Sequence, residues 1–480
     1  MPQPHPVSPF QSSSLSSPLS STNLGRRQLL KAFGVVGATA VAGPAVLSAC
    51  SSGNPGGAGG AATTGGGQVT GEMDFWWNPS VESADAMGKW MNSTISDFQS
   101  THPGTTIHSV TQPAEQMVGN FRTACQSQSG PSLDHQYSGP YTMQFVYENC
   151  IAPLDDGTYP SAEFAHVLPP AALNLYKYQG KTWALPWYNA PVVLMYNKAL
   201  FSAAGLDPEK PPATVDELIS IAPKLKASGV TPFGYGLKGL TGTGNFSGLW
   251  NLQQLNDPKE ILPVVLGKAA YTDPKYSGWL GWVKQMIDGG VFNSDVTSLA
   301  YQDSQNMFLA KKSAMCISSS LTNFQKALGK DLGICTTPTK GTGSLAGRIQ
   351  FNSHPLFITS FAENKQLPSA FLQYLHTAPV LKGMYESSGF FPADDRFDPS
   401  VMKTDQDKQL FGFLRDKSVI GYQNYWPSKM DRENLFLGVQ SLFAGQGSPE
   451  QIAQQIEQRL ATWRTQSAAD LKNFEAQASS

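Results

Sequence analysis

From residue 72 onward, apolar positions recur sometimes every second residue and sometimes every third or fourth, which predicts alternating strands and helices. Glu72–Trp77 reads as a strand. Ser83 then caps a helix whose apolar face is Met87, Trp90, Met91, Ile95 and Phe98. His102-Pro103-Gly104 stops it, and Thr105–Val110 makes the next strand. Glu115–Gln128 repeats the helical pattern through Met117, Val118, Phe121 and Cys125, and Leu133–Tyr137 is a third strand. Strand–helix–strand crossovers make neighbouring strands parallel. The expected fold class is therefore α/β, a doubly wound sheet with any ligand at the carboxyl ends of its strands.

Further along, Thr214-Val215-Asp216-Glu217 is a capping box ahead of Leu218, Ile221 and Leu225. Ser448-Pro449-Glu450-Gln451 is another, with proline at the first helical position and Ile452, Ile456, Leu460 and Trp463 behind it. Trp279–Ile287, Asp303–Ala310 and Ala370–Leu375 are helical by pattern, with Trp279 and Trp282 on a core face. Ala314–Ile317 and Asp331–Cys335 are short strands. No internal repeat is found.

The first 71 residues follow a different pattern. Arg26-Arg27 and Lys31 precede an apolar run from Ala32 to Leu47 that ends in Leu47-Ser48-Ala49-Cys50. A charged stretch, a short apolar stretch and small residues before a cut site make an export signal. Gly25-Arg26-Arg27-Gln28-Leu29-Leu30-Lys31 resembles the twin-arginine (Tat) signal, although Gly25 stands where Ser or Thr is usual and Leu29 where Phe is commonest. Leu-Ser-Ala-Cys resembles the lipobox of bacterial lipoproteins, whose cysteine is acylated, typically with palmitate, after cleavage. Gly34, Gly37, Gly43 and Pro44 leave the run short for a permanent membrane span. Residues 51–71, rich in Gly, Ala, Ser and Thr, read as a flexible tether.

The remaining chain is longer than the roughly 250–300 residues at which one core splits, so two domains are expected. Net charge is −2 and charged residues make up only 15%, which leaves no basic face for nucleic acid. After Cys50 come Cys125, Cys150, Cys316 and Cys335, and outside the cytoplasm these allow three pairings. Sequence neighbours suggest Cys125–Cys150 and Cys316–Cys335; buried free thiols are the alternative. Gly180-Lys181-Thr182 lacks the upstream glycine of a phosphate loop, since position 175 is Leu175. There is no Gly-x-Ser-x-Gly and no His-Glu-x-x-His, and the seven histidines are scattered. The adjacent pairs Asp155-Asp156 and Asp394-Asp395 point opposite ways on extended chain and cannot face one substrate as opposed catalytic acids. No catalytic residue, cofactor or metal is expected.

One stretch is more specific: Tyr178-Gln179-Gly180-Lys181-Thr182-Trp183-Ala184-Leu185-Pro186-Trp187-Tyr188, then Leu194-Met195-Tyr196-Asn197-Lys198, Ala204-Gly205-Leu206 and Pro212-Ala213-Thr214-Val215-Asp216-Glu217-Leu218. Leu154-Asp155-Asp156, Ala310-Lys311-Lys312-Ser313-Ala314-Met315, Gly389-Phe390-Phe391-Pro392-Ala393 and Phe443-Ala444-Gly445 follow in order. Together they resemble the family 1 extracellular solute-binding proteins of carbohydrate ABC importers, of the maltose-binding-protein type, over about Glu72–Trp463. The resemblance implies a two-lobed periplasmic-binding-protein-like fold (type II), each lobe a mainly parallel sheet flanked by helices, closing on a ligand at the hinge. It implies residues 1–49 as signal peptide and 50–71 as lipidated cysteine and tether. Lobe one would be 72–187 and 314–350, lobe two 188–313 and 351–465, and 466–480 a tail. The implied function is sugar or oligosaccharide capture and delivery to ABC permease subunits by a monomer held through Cys50 outside the cytoplasmic membrane. A surface-anchored polysaccharide-degrading enzyme, a binding protein for another polar solute, and a sensor receptor are the alternatives.

Sugars need aromatic plates for their C–H faces and polar side chains for their hydroxyls. Trp77 and Asn78 close the first strand and are expected in the cleft, with Trp76 in the core. Glu82 is a candidate hydroxyl acceptor or a helix-dipole acid. Tyr141 follows the third strand, in the loop that faces ligand in the family. Trp187, Tyr188 and Asn189 fall at the first lobe crossing, with Tyr188 the leading contact. Trp250 follows a loop holding Gly242, Gly244 and Gly248, which can bring backbone close to a ligand. Ser319 and Asn323 follow the returning strand, and Asn352 the last crossing. Arg348 is placed to fork onto vicinal hydroxyls or to tie the lobes together. Tyr425 and Trp426 lie in an aromatic loop that offers a sugar platform in the family.

Overall fold

The structure is a computed structural model and describes residues 69–79, 84–430 and 437–478. The expected signal, Cys50 and the tether up to Gln68 lie outside the described residues, as does Glu82. Among the described residues no helix is long and apolar enough to cross a membrane. The strands are β1 (Gly71–Trp77), β2 (Thr105–Thr111), β3 (Leu133–His135), β4 (Lys177–Tyr178), β5 (Lys181–Thr182), β6 (Leu185–Asn197), β7 (Thr231–Phe233), β8 (Ser313–Ser318), β9 (Leu332–Cys335), β10 (Ile349–Ile358), β11 (Phe391–Pro392) and β12 (Ser418–Ile420). The main sheet runs β2-β1-β3-β10-β6-β8-β7.

The first unit forms as its pattern dictates. Met73, Phe75 and Trp77 turn to one face of β1 and are buried, while Glu72 is exposed. The helix Ala84–Thr101 covers that face with Met87, Met91, Ile95 and Phe98. β1 pairs in parallel with β2 on one side and β3 on the other. Both predicted capping boxes are present, Thr214 with Glu217 and Ser448 with Gln451.

β6 joins the two halves of the molecule. All thirteen of its residues are buried, and it pairs antiparallel with β10 along Leu185–Val192. Beyond the crossing, Val193–Asn197 pairs with β8 on one edge and β9 on the other. Alternate side chains part there: Val192, Leu194 and Tyr196 enter one core, Val193 and Met195 another. β10 in turn reaches β3 through Leu356–Ile358.

These pairings redraw the expected lobe boundaries. β8 and β9 bond to the far end of β6 and β8 also to β7, so they belong with lobe two rather than lobe one. The loop after β9 follows them, with Thr339 bonded to Ala213 and Lys340 to Asp216. Conversely, Gln366–Leu375 packs on β1 and Ala378–Ser388 on Ala84–Thr101, which places both helices in lobe one. The cause is local: β10 runs antiparallel to β3 and hands the chain back to lobe one, and short connections keep successive elements adjacent.

The expected tail is also structured. Ala468–Ala478 is a helix whose Phe474 is buried in the lobe-two core, with Glu475 paired to Lys268. From the same helix Asn473 accepts from the Tyr178 hydroxyl, and Gln477 accepts from Tyr147 and donates to the Leu175 carbonyl, all in lobe one.

Cys125 and Cys150 are bridged, with Cα atoms 5.4 Å apart. Cys316 and Cys335 are not in a disulfide. They sit on β8 and β9, which flank β6 on opposite edges, so a whole strand separates them by about 10 Å, beyond the ~7 Å a disulfide spans. The second expected pairing is thus excluded. Removing the bridge with Cys125→Ala and Cys150→Ala is expected to lower stability by about 2–4 kcal/mol in urea denaturation. Cys316→Ala with Cys335→Ala should leave the response of melting temperature to reductant unchanged.

Candidate functional site

Where the carboxyl ends of β1, β2 and β3 open, the chain leaves a cavity of about 690 Å³. Lobe one supplies Asn78 after β1, Gln112 and Glu115 after β2, and Tyr137 and Tyr141 after β3. Lobe two faces them with Lys238, Asn245 and Gly242 around the start of the helix Leu240–Trp250, with Tyr301 and Gln302 opening Tyr301–Leu309, and with Ser319 after β8. The crossing strands lay the floor through Tyr188 on β6 and Asn352 and His354 on β10, beside Phe390.

Several of these groups are held by their neighbours. Asn78 donates its backbone N–H to His135 Nδ1 and its side-chain amide to the Gln112 carbonyl. Gln423 donates to Asn352 Oδ1 at 2.7 Å. Tyr137 and Tyr301 donate their hydroxyls to the Ala114 and Ile317 carbonyls, so each ring stands as a fixed wall in its own lobe. Gly139 turns the chain into Pro140–Tyr147 at φ 59°, where a Cβ would lie 2.6 Å from Asn424 Oδ1, so only glycine fits. At the rim a Cβ on Gly239 would lie 3.4 Å from Glu115 Oε1, so the two lobes meet there.

Tyr188 lies between two nearly parallel rings, His354 at 4.8 Å and Phe390 at 4.8 Å. Both of its faces are covered and it is 3% exposed. It therefore supports the floor while still lining the cavity, as a leading contact with both faces covered. Beneath it, burial pulls the His354 pKa down to about 4 and holds His135 well below the usual range. Burial also pushes Asp134 well above the carboxylate range, against hydrogen bonds from Gln136 and His135.

Of the expected site residues, Asn78, Tyr141, Tyr188, Ser319 and Asn352 line the cavity. Trp77 does not; it shares the buried face of Met73 and Phe75, donates to Ser109 Oγ at 2.8 Å, and leaves Trp76 half-buried on the other face. Trp187 is fully buried between Trp77 and Trp90. Asn189 is buried and donates to the Leu168 carbonyl. Trp250 and Trp426 fill the lobe-two core, and Tyr425 packs against it. Asn323 lies on the helix Thr322–Leu328 outside the lining, and Arg348 is exposed and donates to the Ser344 carbonyl of its own loop. Asp394 is likewise spent elsewhere: burial raises its pKa, but bonds from Arg396 and His376 outweigh that and hold its carboxyl below the ordinary value.

Sequence reasoning missed Gln112, Glu115, Tyr137, Lys238, Tyr301, Gln302 and His354. The strand-end rule that found Asn78 would have found Gln112 and Tyr137 if applied to the second and third strands. Of the lobe-two residues, Lys238 lies in a loop and Tyr301 and Gln302 in the first turn of a helix, places with no such signal. Among the described residues, Cys125, Glu148 and Cys150 are the one group close enough to share a metal, and the disulfide occupies both sulfurs.

Two α/β lobes on shared crossing strands, with a cleft lined from both, define a cleft-type binding protein. A sequence profile for bacterial extracellular solute-binding proteins matches residues 82–380, and the chain belongs to that family, whose members act outside the cytoplasm. A binding protein of Brucella abortus is 26% identical over 382 residues, 78% of this chain and 89% of the relative. The sn-glycerol-3-phosphate-binding periplasmic protein UgpB of Brucella melitensis is 23% identical over 66% of this chain and 73% of its own. The GacH receptor of Streptomyces glaucescens, solved unliganded and with acarbose, superposes with TM-score 0.65 at 21% identity, covering 83% of this chain and 98% of that one.

Trp187→Ala is expected to lower unfolding free energy by about 3–5 kcal/mol in urea titration, as for a core ring. A variant as stable as the wild type would show that the ring is not core.

Proposed function

We propose that this chain captures a sugar or oligosaccharide between its lobes and hands it to the permease of an ABC importer, without catalysis. The observation that carries this is the lining. Fixed tyrosine rings in each lobe, Tyr137 and Tyr301, face a cavity that also holds six neutral amides: Asn78, Gln112, Asn245, Gln302, Asn352 and Gln423. Amides both donate and accept, as hydroxyls do, and aromatic walls suit C–H faces. The volume of about 690 Å³ sits within the ~300–1,000 Å³ of small-molecule sites. Because the walls come from different lobes, a ligand touching both favours the closed form, which is how a soluble receptor signals occupancy to a membrane partner.

A phosphate ester of the kind named for the Brucella relative is less well served. Lys238 is the one cationic side chain among the described lining residues, and Glu115 is present on the opposite wall. A dianion calls for more positive charge than that. Nor does Glu115, the one carboxylate among those residues, make the opposed pair that glycoside hydrolysis uses.

Thermal melting of the mature chain against maltotriose, xylotriose, N,N′-diacetylchitobiose and sn-glycerol 3-phosphate tests this. At least one sugar should raise the midpoint saturably, about 2.7 kcal/mol of stabilisation at a hundredfold excess over Kd, with no product formed. A response to the phosphate ester alone would replace the sugar reading, and turnover would replace the receptor reading.

We further propose that Cys50 is acylated and holds the receptor on the outer face of the cytoplasmic membrane, since Leu47-Ser48-Ala49-Cys50 ends a short apolar run before a Gly-rich tether. Cys50→Ala should release the protein from the membrane fraction, and mass spectrometry of the wild type should find a lipid on the new amino-terminal cysteine.

A further inference from the structure

His354 stands at an irregular point of the crossing. The register of β6 with β10 shifts between His354 and Pro355, so that His354 opposes Tyr188, Pro355 opposes Pro186, and Trp187 is the extra residue. Such a bulge re-aims the side chain beside it. The imidazole lies flat on Tyr188, 10° from parallel, with Tyr137 edge-on at 5.8 Å, and it lines the cavity. Its Nδ1 is buried without a hydrogen-bond partner among the described residues. Nε2 is not among the buried unpartnered atoms and has no hydrogen bond among the described residues, so it is the ring nitrogen that reaches the cavity.

The proton position follows from the neighbour below. Asn78 N–H donates to His135 Nδ1, which must then be a bare lone pair, and the His135 proton sits on Nε2. That Nε2–H is itself buried without a partner among the described residues, 5.5 Å between ring centres from His354. Placing the His354 proton on Nδ1 would bury a second unpaired donor in the same patch, at the full desolvation penalty of that group. Placing it on Nε2 leaves a lone pair buried and puts the N–H in the cavity. Burial keeps the ring neutral at ordinary pH.

We propose that His354 is a hydrogen-bond donor to the bound ligand, presenting Nε2–H from the cavity floor to a ligand oxygen. This rests on the reading of the cleft as a sugar site. It sets specificity because closure over an analogue lacking that oxygen leaves the N–H unpaired.

Two measurements test it. In ligand-free mature protein labelled with ¹⁵N-histidine, the His354 ring should show the neutral Nε2–H pattern, and an Nδ1–H pattern overturns the proposal whatever the ligand is. Then His354→Phe, which keeps the stack on Tyr188, should bind the best sugar of the melting panel about tenfold more weakly at a similar unliganded melting temperature. His354→Gln, which restores an N–H near the same place, should recover most of that loss. Wild-type affinity in His354→Phe overturns the donor role while leaving sugar binding intact. Should no panel sugar bind the wild type, the functional reading fails and the tautomer measurement alone decides this one. Should His354→Phe fail to fold, the tautomer and His354→Gln decide it, and a tenfold loss in a folded His354→Gln overturns it.

Discussion

The pairing of β6 with β10 is the constraint on which both lobes depend, because β6 is buried along its whole length and still has to satisfy every backbone group. It does so by borrowing partners from both halves of the molecule: β10 and β11 before the crossing, β8 and β9 beyond it. Neither lobe can complete its sheet without this strand. A substitution in β6 is therefore felt on both sides. Pro186 and Pro355 lack N–H donors, and the ladder slips where they oppose each other. The cleft floor lies at that slip.

The site divides into a stacked floor and walls that belong to the separate lobes. Tyr188, His354 and Phe390 stack on one another, and Trp187 is wedged between Trp77 and Trp90 beneath. These rings gain dispersion contacts with each other and give up the faces a sugar would use. Tyr137 and Tyr301 are different. Each is tied at its hydroxyl to a carbonyl of its own lobe, so each moves with that lobe. The stacking surfaces left to a ligand thus ride on the lobes and not on the hinge.

Much of the fold was legible because local signals agreed: alternation in β1, the three-and-four spacing of Ala84–Thr101, and the capping boxes at Thr214 and Ser448. The site was legible only in part. Alternation in β1 shows that Met73, Phe75 and Trp77 share a face, but Trp76 makes the opposite face apolar too, and period alone cannot say which one a helix will cover. Tryptophans at the crossing and in two loops read as ligand contacts, yet Trp187, Trp250 and Trp426 are fully buried, because rings of that size contribute most where water is excluded. The lobe assignment failed for a related reason. A crossing strand recognised from a motif does not reveal which neighbour it will pair with, and the far end of β6 takes β8 and β9 into lobe two. Likewise Cys316 and Cys335 are close in sequence and kept apart by the one strand between them.

The helix Ala468–Ala478 adds a connection that strand crossings alone would not supply. It is anchored in lobe two by Phe474 and Glu475 and in lobe one through Tyr147, Leu175 and Tyr178. Rotating the lobes must strain or slide these contacts, so the helix opposes motion away from the arrangement it fits. Glu115 also comes close to Gly239 at the rim, between the same two bodies. A ligand therefore works against a joint with stiffness of its own. It can shift the equilibrium only through contacts that differ between open and closed forms, which are the ones made to Tyr137 and Tyr301 together. Under the proposed function, it is these opposing walls that carry the message to a membrane partner.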